Sequence, residues 1–118
     1  MISVFVATSG RSKMFKDMLG SLIQTVHSGW ELEICCVIDA DYEAWDIARN
    51  LGLPVWFSPQ RRGALQAWND ALTMTNGDFL VPAGDDQIFH PGWLEYALES
   101  HRDRLGRYGM VGDRDWET

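Results

Sequence analysis

The segment Phe79-Leu80-Val81-Pro82-Ala83-Gly84-Asp85-Asp86 places two adjacent carboxylates directly after a short apolar run. Such a run predicts a buried strand, and an open α/β sheet has its ligand crevice at the carboxyl ends of its strands. Adjacent carboxylates repel each other, so a crevice that contains them also supplies a cation or hydrogen-bond donors. The segment therefore predicts a divalent metal that carries phosphates, with a solvated acidic turn capping the next helix as the alternative.

The rest of the chain repeats this alternation of apolar runs and amphipathic stretches. The pattern predicts an α/β domain of alternating β-α units, with a mostly parallel sheet and helices on both faces. No linker divides the chain, so 1–118 is read as a single domain. Strands are predicted at 2–7, 34–38, 54–57, 79–82 and 110–112, and helices at 12–26, 42–51, 63–76 and 91–105.

Two local features of the helices can be predicted as well. Ser12 is a plausible N-cap for the first helix. The apolar spacing in the third helix predicts that Leu65, Trp68, Ala71 and Leu72 form its buried face.

Polar residues cluster where such a sheet places a ligand. The segments 8–11, 39–41 and 84–86 each follow a predicted strand. Because the carboxyl ends of parallel strands meet at one rim, these three loops are expected to lie together. Hydroxyl and carboxylate acceptors for a base and ribose, with a metal for phosphates, are what a nucleotide requires.

Composition limits the possible partners and compartment. The 118 residues carry a formal net charge of −7, which disfavours nucleic acid and anionic membranes as partners. Cys35 and Cys36 are adjacent in an apolar run, so they are expected on opposite sheet faces as buried thiols in a reducing compartment. No signal peptide is recognisable and no apolar run is long enough to span a bilayer, so a cytoplasmic location is expected.

Five segments together resemble family 2 glycosyltransferases, which have the GT-A fold, related to the Rossmann fold. The opening strand and loop, the second strand ending in Asp39, the glycine-to-asparagine helix segment, and the acidic motif with its flanking strand and helix follow in the family's order and spacing. These segments are 2–11, 31–39, 62–69, 76–81 and 85–95. The resemblance covers nearly the whole chain.

The resemblance implies that the chain binds a nucleotide-diphosphate sugar together with a divalent metal, Mn or Mg. It implies an inverting transfer, with Asp86 as the metal ligand. Arg61 or Arg62 would reach the base or the diphosphate, or else form a solvated pair beside the helix. The expected nucleotide-sugar-binding residues are Thr8, Arg11, Asp39, Asp41, Arg62 and Asp85.

The chain also departs from the family pattern. Many members have an aspartate where this chain has Gly84, and Ile38 replaces another common acidic position, for which Asp39 and Asp41 are expected to compensate. Members continue into an acceptor-binding half that carries the general base. Asp113 and Asp115 fall too early to match that base, so no catalytic residue is assigned.

Several interpretations of the function remain open. The chain is an active transferase whose acceptor half comes from a second copy or a partner chain, a nucleotide-binding or oligomeric interaction module derived from a truncated transferase, or the opening portion of a longer enzyme. A receiver-type signalling domain also has acidic strand ends. It would require its acidic pair after the first strand, where this chain has Thr8-Ser9-Gly10-Arg11.

Overall fold

The computed structural model describes residues 1–26 and 31–100. Strands and helices alternate throughout these residues, as the sequence predicts. The elements are β1 (Ile2–Thr8), α1 (Ser12–Thr25), β2 (Leu32–Asp39), α2 (Tyr42–Asn50), β3 (Val55–Ser58), α3 (Ala64–Met74), β4 (Phe79–Pro82) and α4 (Trp93–Ser100). The strand predicted at 110–112, the end of the fourth helix, and Asp113 and Asp115 lie outside the described residues.

The strands form a parallel sheet in the order β3-β2-β1-β4. Val4 of β1 pairs with Ile34 of β2 on one side and with Val81 of β4 on the other. The two inner strands are covered on both faces, which explains why their sequences are apolar almost throughout. The predicted parallel α/β sheet is confirmed.

Helices cover both faces of this sheet, so the core has two parts. The larger part lies under α1, α2 and α4 and contains Phe15, Cys36 and Leu94. The smaller part lies under α3 and contains Phe5 and Cys35. The two cysteines therefore face opposite sides of the sheet as predicted, and both are buried free thiols.

A small network of hydrogen bonds lies at the amino-terminal ends of the strands. The Ser3 hydroxyl donates to Glu33 Oε1 at 2.6 Å, and the Gly77 N–H donates to Ser3 Oγ at 2.8 Å. Asn76 donates its backbone N–H and its side-chain amide to the Glu33 carboxylate. These bonds connect β1 and β2 to the turn that leads into β4.

Three predictions about local structure are wrong. In α3, Ala71 is buried as predicted, but Leu65 and Leu72 are exposed and Ala67 is buried instead, because small side chains let the helix approach the sheet closely. The N-cap of α1 is Arg11, which makes no side-chain cap bond, and Ser12 is already helical. The strand before the acidic pair is not buried, since β4 is the outer strand of the described sheet.

Within the described residues, no helix is both long and apolar enough to cross a membrane.

Candidate functional site

The loops that follow β1, β2 and β4 meet at the carboxyl edge of the sheet. The Thr8 hydroxyl at the end of β1 donates to Asp85 Oδ2 at 2.8 Å. The Ser9 hydroxyl donates to the Asp39 carbonyl at 2.6 Å. These bonds confirm that the three polar segments predicted for one rim lie together.

A cleft of about 260 Å³ opens between these loops and the start of α3. Its polar wall carries the Asp39 and Asp85 carboxylates, and Arg61 stands on the α3 side. Its apolar wall is formed by Ala67 and Trp68 of α3. The complete lining is Ala7, Thr8, Ser9, Asp39, Arg61, Gly63, Ala64, Ala67, Trp68, Gly84 and Asp85.

Asp39 is held in a fixed orientation by Arg62. Asp39 Oδ1 accepts from Arg62 Nε at 3.2 Å and from Nη2 at 2.9 Å, and Asp39 Oδ2 accepts from the Arg62 backbone N–H at 3.1 Å. The Asp39 side chain is only 3% exposed, so this charge-assisted pair is largely desolvated. Arg62 therefore presents Asp39 to the cleft.

The second partner of Arg62 is Asp70 of α3. Asp70 Oδ2 accepts from Arg62 Nη1 at 2.5 Å, and Oδ1 accepts from Gln66 Nε2 at 3.1 Å. The hydrogen bonds to Asp39 and Asp70 raise the pKa of the Arg62 guanidinium above its ordinary value. Asp70 was not predicted as a site residue, because a carboxylate in mid-helix reads as part of a solvated face.

The two adjacent arginines thus have different surroundings. Arg62 already has two carboxylate partners, and its predicted contact with a nucleotide stays a prediction. Arg61 is exposed, lines the cleft, and makes no ion pair among the described residues. Of the pair, Arg61 is the guanidinium that is available to an anion in the cleft.

Asp85 and Asp86 differ in exposure and in the donors around them. The Asp85 side chain is 13% exposed and accepts from Thr8 and from Arg11 Nη1, the latter at 3.3 Å. The Asp86 side chain is 59% exposed, with its Oδ2 3.8 Å from the same Arg11 nitrogen. Asp86 therefore has most of its oxygen lone pairs open to a cation.

This donor set fits a divalent cation that also takes phosphate ligands. Mg²⁺ and similar hard cations prefer oxygen donors and are held through one or two carboxylates together with substrate phosphates. Within the described residues no group of three or more His, Cys, Asp or Glu side chains forms a metal cage. A cation that is held jointly by the protein and by substrate phosphates requires only one or two carboxylates. Asp85 and the more exposed Asp86 supply them.

Asp41 has a mainly structural role in the contacts that the structure shows. Its Oδ1 accepts from the Ala44 N–H at 3.0 Å, which caps α2, and its Oδ2 accepts from the Gly10 N–H at 2.8 Å. Gly10 has a positive φ of 71°, so this bond fixes a tight turn after β1. The predicted contact between Asp41 and a ligand stays a prediction.

Gly84 stands close beside the acidic pair. A Cβ at this position would lie 3.1 Å from Asp86 Oδ1 and 3.4 Å from Gln87 Cγ. The Gly84 N–H donates to Gln87 Oε1 at 2.7 Å, which closes the turn. A side chain here would require the exposed Asp86 carboxylate to shift by a few tenths of an ångström.

Comparison with known proteins agrees with this geometry. The family model described as Glycosyl transferase family 2 matches residues 3–114. No curated protein is significantly similar to the chain in sequence.

Solved structures share the fold at low sequence identity. The mannosyltransferase PcManGT from Pyrobaculum calidifontis, in complex with GDP-Man and Mn²⁺, superposes with a TM-score of 0.77 at 20% identity over 87% of this chain and 32% of its own. S. aureus TarS 1-349 gives a TM-score of 0.71 at 24% identity over 88% of this chain and 33% of its own. The same TarS fragment in complex with UDP-GlcNAc gives 0.69 at 22% identity, over 88% and 32%. The chain thus has the GT-A fold and spans about a third of the length of these structures.

Proposed function

The chain belongs to glycosyl transferase family 2, and from this membership we propose that it binds a nucleotide-diphosphate sugar with a divalent cation for sugar transfer. The observation that carries the proposal is the convergence of Asp39 and Asp85 on one cleft between parallel strand ends, with the exposed Asp86 next to Asp85 in the chain. The mannosyltransferase with GDP-Man and Mn²⁺, and TarS with UDP-GlcNAc, support this class of ligand.

Each part of the ligand has a matching group in the cleft. Asp39, oriented by Arg62, offers acceptor oxygens to the N–H groups of a base or to the hydroxyls of a ribose. Thr8 and Asp85 form a second polar pair at the end of β1. Arg61 is placed for the diphosphate, to which a guanidinium binds in bidentate fashion.

The cation would be held by Asp86, with Asp85 beside it. When bound, such an ion neutralises the charge that builds on the nucleoside diphosphate as the glycosidic bond breaks. The Asp86 side chain is 59% exposed and follows the cleft-lining Asp85 directly, so it is open to a cation from solvent. The carboxylate oxygens of Asp85 and Asp86 suit either Mn²⁺ or Mg²⁺ as the bound ion.

Binding without transfer is the second candidate function, and the engagement of the carboxylates in and beside the cleft favours it. An inverting transfer needs a carboxylate base that deprotonates the acceptor hydroxyl. Asp39 and Asp70 are both paired with Arg62, and Asp85 accepts from Thr8 and Arg11. None of these described carboxylates is free to act as that base, so an active transferase takes it from elsewhere in a longer chain, a second copy or a partner.

Calorimetric titration tests the proposed binding. UDP, GDP and their sugars are titrated into the wild-type chain with and without Mn²⁺, and the titrations are repeated with Asp86→Asn. We expect binding that depends on Mn²⁺ and is lost in Asp86→Asn. Asp78→Asn is the matched control, because Asp78 is 85% exposed and pairs with the amino terminus at the opposite edge of the sheet. Absence of binding to every nucleotide would refute the proposal.

Product analysis separates the two candidate functions. Sugar nucleotide that binds but stays intact, with and without candidate acceptors, supports a binding module. Released nucleoside diphosphate that depends on an acceptor supports transfer.

A further inference from the structure

Arg11 lies between the two carboxylates of the acidic pair. Its Nη1 nitrogen is 3.3 Å from Asp85 Oδ1 and 3.8 Å from Asp86 Oδ2. A single nitrogen thus interacts with both side chains that the proposed function assigns to the metal site. A guanidinium is the positive charge that two adjacent carboxylates require when no metal neutralises them.

The backbone of Arg11 is fixed while its side chain remains free to move. The Arg11 carbonyl accepts from the Phe15 N–H at 2.9 Å in the first turn of α1. The preceding residue, Gly10, is held by Asp41. The Arg11 side chain is 54% exposed, so it can leave the carboxylates for solvent or for another anion without disturbing the core.

We propose, on the basis of the proposed function, that Arg11 is an internal cation that competes with the metal for Asp85 and Asp86 and couples metal binding to nucleotide binding. A divalent ion that binds these carboxylates breaks their contacts with Arg11 and repels its guanidinium. Without a nucleotide the displaced guanidinium has only water as its new partner, so metal binds weakly. With a nucleotide present the displaced guanidinium pairs with the diphosphate, so metal binds more strongly.

This coupling is reciprocal, because each ligand changes the affinity of the other by the same factor. Arg11 therefore has opposite effects on two measurable quantities. It weakens the binding of metal alone, and it strengthens the cooperativity between metal and nucleoside diphosphate. A residue that only contacted the nucleotide would not affect the binding of metal alone.

Electron paramagnetic resonance of free Mn²⁺ tests the proposal on the complete chain. Titrations are made with Mn²⁺ alone and with Mn²⁺ at saturating UDP or GDP, for the wild type, Arg11→Gln and Lys13→Gln. We expect Arg11→Gln to bind Mn²⁺ alone roughly twofold to fivefold more tightly, the size expected for one partly exposed ion pair. The factor by which the nucleotide tightens Mn²⁺ binding should fall in the same variant.

Lys13→Gln is the matched control, because Lys13 is an exposed cation in the first turn of α1 and makes no ion pair among the described residues. It removes the same charge without touching the acidic pair, so both quantities should stay close to the wild-type values. An equal effect in the two variants would reduce the role of Arg11 to general electrostatics and overturn the proposal.

The remaining outcomes separate this inference from the proposed function. If wild-type Mn²⁺ binding requires Asp86 but Arg11→Gln binds Mn²⁺ alone no more tightly, the competition is refuted while the metal site stands. If neither the wild type nor Arg11→Gln binds Mn²⁺, with or without nucleotide, both proposals fail.

Discussion

Asp70 is the residue through which α3 acts on the cleft. It is buried, it accepts from Arg62, and Arg62 in turn fixes Asp39. Two carboxylates share one guanidinium, so the orientation of Asp39 depends on a residue that does not line the cleft. Asp70 is therefore a positioning residue for the proposed nucleotide site.

We expect Asp70→Asn to lower both stability and nucleotide affinity. The free energy of unfolding should fall by about 1.5–3 kcal/mol, the usual value of a hydrogen bond to a charged group. Because Asp39 then samples several rotamers, nucleotide affinity should fall roughly twofold to tenfold, with Mn²⁺ affinity unchanged. Urea unfolding and calorimetry well below the melting temperature measure the two effects.

Asp46→Asn is the control for this substitution. Asp46 also pairs with an arginine, Arg49, but both side chains are more than half exposed. Such surface pairs contribute about 0–1 kcal/mol, so stability and nucleotide affinity should barely change. Equal losses in the two variants would contradict the positioning role of Asp70.

Glu33 lies at the amino-terminal edge of the sheet, opposite the cleft, and makes the stability of the fold depend on pH. The hydrogen bond from Ser3, followed by those from Asn76, lowers the pKa of this carboxyl below the ordinary glutamate value despite partial burial. A lowered folded-state pKa contributes stability above the unfolded-state pKa, and this contribution is lost as pH falls through the folded-state pKa.

We expect the wild type to be more stable than Glu33→Gln at neutral pH, with the difference shrinking as pH falls below the ordinary glutamate pKa of about 4.3. Urea unfolding at several pH values between neutral and about 3 measures this difference. Glu31→Gln removes the same charge from an exposed neighbour and should show a much smaller, less pH-dependent difference. A constant difference for Glu33→Gln across this range would show that the charge of Glu33 is not what stabilises the network.

At the scale of elements, the turn between α3 and β4 leaves no space for a side chain at Gly77. A Cβ there would lie 2.6 Å from Ser3 Oγ and 2.8 Å from both the Met1 carbonyl oxygen and the Ser3 nitrogen. The Ser3 nitrogen belongs to the β1 backbone and the Met1 carbonyl to the residue just before it, and neither can move without disturbing the pairing of β1 with β4. The close approach, rather than a positive φ, is the reason for glycine.

We expect Gly77→Ala to destabilise the fold by about 1–3 kcal/mol, the usual cost of overpacking. Gly20→Ala is the matched control, because Gly20 lies inside α1 with nothing within 4 Å of its Cβ position. That substitution should stabilise the fold by about 0.5–1 kcal/mol through helix propensity. Chemical denaturation compares the two, and a stabilising or neutral Gly77→Ala would contradict the close contact.

The elements also show what the sequence can predict. Strands β1 and β2 were located from continuous apolar runs, because a central parallel strand is buried on both faces. The buried face of α3 is predicted only in part, because Ala71 is buried as expected but Ala67 also packs against the sheet, while the larger Leu65 and Leu72 are exposed. Hydropathy favours the larger side chains, whereas close packing of helix on sheet favours the smaller ones.

The candidate site also has one feature that the sequence predicts and one that it does not. The meeting of the loops around Thr8, Asp39 and Asp85 follows from strand topology, so it was predictable. The pairing of Arg62 with Asp70 requires the pitch of α3 and the depth of its packing, which the sequence does not contain.

At the scale of the whole molecule, the sheet separates two cores of unequal size. Cys36 lies in the larger core under α1, α2 and α4, and burial raises its pKa to about 12. Cys35 lies in the smaller core under α3 alone, and burial, with the charge of Glu33, raises its pKa to about 11. Both thiols are therefore unreactive in the folded state near neutral pH and react only when their cover opens.

We expect Cys35 to react through a local opening of α3 and Cys36 only through global unfolding. A single helix over a small core opens at lower free energy than the whole domain. The reaction of each thiol with a disulfide reagent at pH 8 is followed in Cys36→Ala, which keeps Cys35, and in Cys35→Ala, which keeps Cys36.

The opening free energy of each variant is compared with its own global unfolding free energy at several low urea concentrations. For Cys36 the two free energies and their urea slopes should coincide, since unfolding exposes the same surface in both measurements. For Cys35 the opening free energy and its slope should both be smaller. If the two cysteines instead show the same opening free energy and slope, α3 and the larger core form one cooperative unit, and the cleft wall that α3 supplies is as stable as the rest of the domain.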